Sequence, residues 1–378
     1  MTTVQSIVEK AKGQASRIPH GARIYFAVLG AWLATTAMHI PDGYLSPVFC
    51  AVMFAVMIPF WYFGLKKLRG KMNARSVPLI ALLAAFSFII MMFNVPLPGG
   101  TTGHAVGGAL IAVLLGPEVA VVAVSIALII QAVFFGDGGI LAVGANCFNM
   151  AVVLPYISYA VYQAVAGKQP VDSPRRPLAA FLGGYLGLSA AAFFAGLEFG
   201  LQPALFHAAD GTPLYAPYPL SVSLPAMIVP HILVASVIEG LVTALVLAYL
   251  QRTNRELVAG AAEPSVRDGW ARLRILWVAL AVLAFITPIG LLAPGTAWGE
   301  WGAEELTALG LGFIPDGLQR LGGIWSSPLP DYEIPALGNA SLGYIISAVI
   351  GILAVSIVTW LFVTVLTGGR RNIRKGGG

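Results

Sequence analysis

Long apolar runs alternate with short polar, basic or glycine-rich connections along almost the whole chain. A bilayer-spanning helix needs about 20 mostly apolar residues, and such runs occupy roughly 45–65, 77–95, 118–135, 140–163, 178–200, 223–250, 275–294 and 342–366. A shorter run at 104–116 completes a crossing only if something else fills the remaining depth, and Ile24 to Ala37 is too short for a comfortable span. The pattern predicts an all-α, polytopic membrane helix bundle.

Composition agrees: of 378 residues 58% are hydrophobic and 10% charged, with mean hydropathy +0.82, where a soluble domain carries about a quarter charged residues. The net charge of +5 does not point to nucleic acid, because the basic residues are spread between apolar runs instead of gathered on one polar face. Cys50 and Cys147 lie in separate apolar runs, so neither a disulfide framework nor a zinc cluster follows from their spacing.

Charge also orders the spans. If every run crosses alternately, with residues 1–23 in the cytoplasm, then all of the 22 Lys and Arg residues except Arg320 fall on the cytoplasmic side, as the positive-inside rule demands. One missed or invented span would reverse everything after it, so the agreement also counts the 104–116 run as a crossing. The expected division is a leader (1–37), a seven-span unit (38–250), a cytoplasmic linker (251–274) and a two-span hairpin (275–378). The outer loop of the hairpin, 295–341, carries six acidic residues and one arginine. The mature N-terminus is expected outside and the C-terminus inside a bacterial or archaeal cytoplasmic membrane.

The stretch before Met38 reads as a basic segment, an apolar core (IYFAVLGAWLA) and small residues Thr35 and Ala37 ahead of a cut, the pattern of a secretory signal peptide. Cleavage after Ala37, or a true start at Met38, makes Met38 the first residue and His39 the second. A free α-amine, the main-chain nitrogen of residue two and the Nδ1 of its imidazole then close consecutive five- and six-membered chelate rings in one plane. Tetragonal nitrogen ligation favours Ni(II) or Cu(II), with cobalt accepted. His104, in PLPGGTTGHAVGG on the same outer side, is the candidate fourth corner. Its glycines permit irregular turns, tolerated at membrane depth only where buried in protein. Spacing alone leaves open whether His104 ligates or merely caps the span.

MHIPDGYLSP, PLPGGTTGHAVGGALIAVLLGP and QAVFFGDGGILAVGANCFNM together resemble the CbiM/NikM substrate-binding membrane subunits of energy-coupling-factor transporters for cobalt and nickel, over about residues 38–250. PDGLQRL and PLPDYEIP resemble the PDGLE-type domain often fused to them. The resemblance implies metal held by the amine and second-residue nitrogens and by the loop histidine, which here are Met38, His39 and His104. It implies a transported Ni2+ or Co2+ and no resident cofactor. It further implies a transmembrane coupling subunit and cytoplasmic ATPase subunits, since this chain has no G-x-x-x-x-G-K-[ST] loop of its own. The departure is the leader, which would lock the amine in a peptide bond if retained. The PDGLE-type tail inclines the reading toward nickel.

Other polar residues are weaker candidates. Asp42 is expected to shape the turn that folds the N-terminus inward, supporting the ligands. Asp137, Asn146 and Asn149 read as loop turns and helix caps, or as supports for the ligands. His231 and Glu239, inside one span, are functional candidates by position, but eight residues apart they do not share a helix face. His207 belongs to an outer loop. The small pairs Ala51 with Ala55 and Gly183 with Gly187 permit close helix approach, which in the family serves coupling-subunit docking. The acidic outer loop is expected to aid metal delivery without forming the tight site. An integral-membrane metal-dependent hydrolase and a passive cation channel are the alternatives. The first lacks an evident general base and the second lacks acidic rings along its spans.

Overall fold

The computed structural model describes residues 38–71, 77–97, 101–258, 266–293, 299–308 and 310–373; the leader at 1–37 lies outside them. The chain forms α1 (Pro47–Lys71), α2 (Val77–Met91), a hairpin of β1 (Val95–Leu97) and β2 (Thr101–Gly103), α3 (Gly108–Leu115) and α4 (Pro117–Ile130). It continues through α5 (Val143–Cys147), α6 (Leu154–Ala166), α7 (Arg175–Leu205), α8 (Leu220–Pro230) and α9 (Ser236–Thr253). The hairpin domain supplies α10 (Val266–Ile286) and α11 (Ala340–Ile373). Helix dominates because lipid offers no partner for main-chain polar groups, which helices satisfy internally.

Seven helical stretches among the described residues are long and apolar enough to cross a membrane. Three of them pass through π-helical segments, Gln131–Phe135, Phe148–Val153 and His231–Ala235. The other two expected crossings are short helices, α2 with 15 residues and α3 with 8. The depth that α3 leaves is filled by protein. Residues 38–46 pack inward, with Ile40, Tyr44, Leu45 and Ser46 buried, and β1 pairs antiparallel with β2 just before His104. Irregular backbone was expected there; a paired hairpin was not.

The Pro117–Phe135 stretch lies at the centre, 72% of its apolar window buried, whereas Pro47–Arg69 at 22% faces outward. Close helix contacts are made by glycine. A Cβ on Gly183 would stand 2.6 Å from the Ser158 carbonyl oxygen and one on Gly187 would stand 2.7 Å from that of Leu154. That pair therefore seats α7 on α6 inside this chain, the close helix approach that its spacing permits. Ala51 and Ala55 are exposed.

The hairpin domain packs onto the first unit through α11, which covers α2. Gly351 lies so close to Phe88 that any Cβ would overlap the ring, and the Tyr344 hydroxyl donates to the Met92 carbonyl at 2.9 Å.

Candidate metal centre

The outer segment is pinned residue by residue. Asn146 clamps both main-chain groups of Ile40, accepting from its N–H at 2.8 Å and donating to its carbonyl at 3.1 Å. Asp42 accepts from the amides of Ile140, Leu141 and Ala142 at 2.9, 2.8 and 3.3 Å, as expected of a residue that shapes the inward turn. Burial pushes its carboxyl above the usual range against the pull of those three amides. Gly138 and Gly139 have to be glycine here: a Cβ on Gly139 would fall 2.2 Å from Asp42 Oδ1, and Gly138 has φ +86°.

This clamp buries His39 and aims its nitrogens. The main-chain N–H donates to Glu300 Oε1 at 3.2 Å, and Nδ1 meets Asp137 Oδ1. Asp137 Oδ2 in turn accepts from the Tyr332 hydroxyl at 2.5 Å and from Gln131 Nε2 at 3.2 Å. Burial alone would raise the Asp137 carboxyl, but the attraction of His39 and the bonds from His39 and Tyr332 outweigh it and hold it below the usual range. Glu300 is pushed well up, by burial and then by the charge of Asp137. The two His39 nitrogens that a main-chain chelate would use thus both face side-chain carboxyl groups.

His104 completes the group. Its ring centroid lies 5.0 Å from that of His39, the planes at 74°. Its Nδ1 lies 3.1 Å from the Ala105 carbonyl, which can only accept, so the proton sits on Nδ1 and the lone pair on Nε2. An imidazole held through one nitrogen with the other free is the arrangement that ligating histidines adopt. Among the described residues no three His, Cys, Asp or Glu side chains are arranged to hold a metal ion by themselves.

Two comparisons then decide the family. The model of the cobalt uptake substrate-specific transmembrane region (CbiM) matches residues 39–257. The chain belongs to the CbiM family. A PDGLE domain matches residues 272–368. Among CbiM-family relatives, the fused nickel transport protein NikMN of Rhodobacter capsulatus is 52% identical over 329 residues, covering 83% of this chain and 94% of that one. The probable fused nickel transport protein LarMN of Lactiplantibacillus plantarum is 43% identical over 84% and 94%. The crystal structure of a transition metal transporter superposes with TM-score 0.55 at 47% identity, over 61% of this chain and 99% of that one. This chain is accordingly a multi-pass, substrate-specific transport subunit and not an enzyme.

The remaining candidates take other partners. Asn149 donates to Glu198 Oε2 at 2.8 Å, both side chains buried. His231 gives Nδ1 to the Met227 carbonyl at 2.7 Å, while Glu239 binds main-chain amides of residues 106–109, so the two do not pair. His207 is exposed, its Nδ1 on the Ala208 carbonyl. Sequence reasoning missed Glu198, although an acid inside the 178–200 run is a functional candidate by the rule that flagged Glu239. Glu300 and Tyr332 were also missed as individuals. Only the acidity of their loop and the DYEIP string drew attention to them.

Proposed function

We infer that the chain captures Ni2+, with Co2+ accepted, at a planar site made by the Met38 amine, the main-chain nitrogen and Nδ1 of His39, and His104 Nε2. The observation that carries this reading is the aim of His39: main-chain N–H and Nδ1 both point at side-chain carboxyl groups, that of Asp137 held in its charged form, with a second imidazole alongside. A dication arriving there replaces protons on nitrogens, and the nearby negative charge favours that exchange. The names of the fused relatives support nickel as the cargo. In this reading residues 38–250 form the capturing unit, facing outward from a bacterial or archaeal cytoplasmic membrane. The hairpin at 275–378 sets its acidic loop beside the site. A coupling subunit and cytoplasmic ATPases supply the power for import.

Sequencing the N-terminus of the purified protein and measuring its metal content tests the amine. Mature protein beginning at Met38 with one bound nickel is the expected result, and an intact leader on metal-loaded protein contradicts it. Inserting one alanine between Met38 and His39 keeps every side chain but enlarges the chelate, so nickel affinity should collapse; affinity unchanged by the insertion rules out the main-chain chelate.

A further inference from the structure

Glu239 is a carboxylate placed at the middle of a membrane span, where a charge is costly unless fully satisfied. It is completely buried, and its carboxylate oxygens are held by one short piece of backbone. Oε2 accepts from the amides of Val106 and Gly107 at 2.8 and 2.9 Å, and Oε1 from that of Ala109 at 3.2 Å. Those amides belong to the link between His104 and the first turn of α3, where Gly107 takes φ 74° and the main chain has no helical partner to offer them. The same link is held from the other side by Ser87, whose hydroxyl donates to the Val106 carbonyl at 2.8 Å. Val106 is thus gripped at its N–H by α9 and at its carbonyl by α2, two residues from the imidazole.

The base of the clamp is rigid. At Gly184 and Gly240 helices α7 and α9 touch backbone to backbone: a Cβ on Gly184 would lie 3.1 Å from the Glu239 carbonyl oxygen, and one on Gly240 would lie 2.7 Å from that of Phe181. Glu239 therefore projects from a fixed point toward a segment that has few other reasons to hold one shape, since α3 is eight residues long and such short helices are marginal alone.

We propose that Glu239 is a positioning residue for metal capture: its carboxylate fixes the backbone that carries His104, so that the imidazole stands opposite His39. This rests on the reading in which His104 is a ligand. Glutamine keeps the size but offers one acceptor oxygen in place of two and turns an NH2 toward amide donors. Glu239→Gln should therefore let the loop relax and His104 drift.

The test is a double-mutant cycle on the full chain in lipid nanodiscs, with nickel titrated in competition with a chromophoric chelator. Supporting residues around metal ligands typically contribute about 10–100-fold in affinity, and a loss in that range is expected for E239Q. Because the residue acts through His104, E239Q combined with His104→Ala should bind no worse than His104→Ala alone. X-ray absorption of nickel-loaded E239Q should show one imidazole where the parent shows two. Parental affinity in E239Q, or losses that multiply in the double variant, overturns the proposal. A His104→Ala protein that binds as tightly as the parent instead overturns the ligand assignment, whatever E239Q does. If E239Q does not fold, Glu239→Asp, which keeps the charge but is one methylene short of the amides, enters the same cycle with a smaller loss expected.

Discussion

The two histidines of the centre are held in opposite ways. His39 sits on a non-helical arm and is aimed by side chains from three separate places: Asn146 through its neighbour Ile40, Asp137 on a glycine loop, and Glu300 from the hairpin domain. His104 follows a β-hairpin and is aimed through its own backbone, with no charged side chain bonded to its ring among the described residues. An arm tuned by charged groups is sensitive to each group separately, whereas a backbone-held loop responds to changes in its footing. The first arrangement suits a ligand that supplies several nitrogens at once.

The largest expected effect comes from removing a whole arm. His39→Ala deletes the imidazole corner and its six-membered ring together and should abolish nickel binding measured by equilibrium titration. His104→Ala should weaken it without abolishing it, because water can take a single corner. Equal losses would end the asymmetry. Next comes Asp137→Asn, which keeps the shape but removes the negative charge that faces His39 and draws a dication in; affinity should fall about 10–100-fold, about 1.4–2.8 kcal/mol of lost attraction. Tyr332→Phe removes only one donor to Asp137 and keeps the ring stacked on Phe135 at 4.6 Å. One net hydrogen bond corresponds to roughly twofold to tenfold, and a loss from Tyr332→Phe as large as that from Asp137→Asn would mean that the hairpin domain, not Asp137, sets the arm.

The smallest effect concerns the support beneath Tyr332. Asp331 and Tyr332 are the two described non-glycine residues with positive φ, 53° and 62°, a conformation that asparagine tolerates better than most residues. Enclosure in the loop, and then the charges of Asp137, Glu333 and Glu305, raise the Asp331 carboxyl above its usual 3.8. A carboxyl raised on folding favours the fold fully below its unfolded pKa, and that contribution is lost as pH rises through the folded value. Asp331→Asn should therefore raise the melting temperature slightly at neutral pH, with the electrostatic part of the gain disappearing below about pH 3.8, the unfolded value. The side chain is exposed, so solvent screening keeps the gain small. A melting temperature lowered at neutral pH would show that the carboxylate is needed where it stands.

Much of this was legible in the sequence because its signals are local. Span lengths follow from runs of apolar residues, and the histidines, Asp137 and Asn146 announced themselves as polar groups in glycine-rich outer loops. What escaped depends on distance along the chain. Glu300 meets His39 across 261 positions and Tyr332 meets Asp137 across 195, and no spacing rule reaches that far. The role of Glu239 was hidden for a different reason: its partners are backbone amides, which every residue but proline carries. The Gly183 and Gly187 pair shows the converse, where a legible spacing announced a close approach without saying which neighbour it serves.

The contact between α2 and α11 has a consequence for how the protein is made. Helix α2 is short, almost wholly enclosed, and finds its cover in α11. At about 5–20 residues per second, the roughly 250 residues between them take tens of seconds to synthesise. For that interval the insertion machinery or neighbouring lipid has to shelter α2, and the first unit waits, incompletely walled, for α11 to leave the ribosome. Translation pauses before residue 340 would lengthen that exposure, and quality-control proteases of the membrane would meet the nascent bundle on the face that Phe88 later closes.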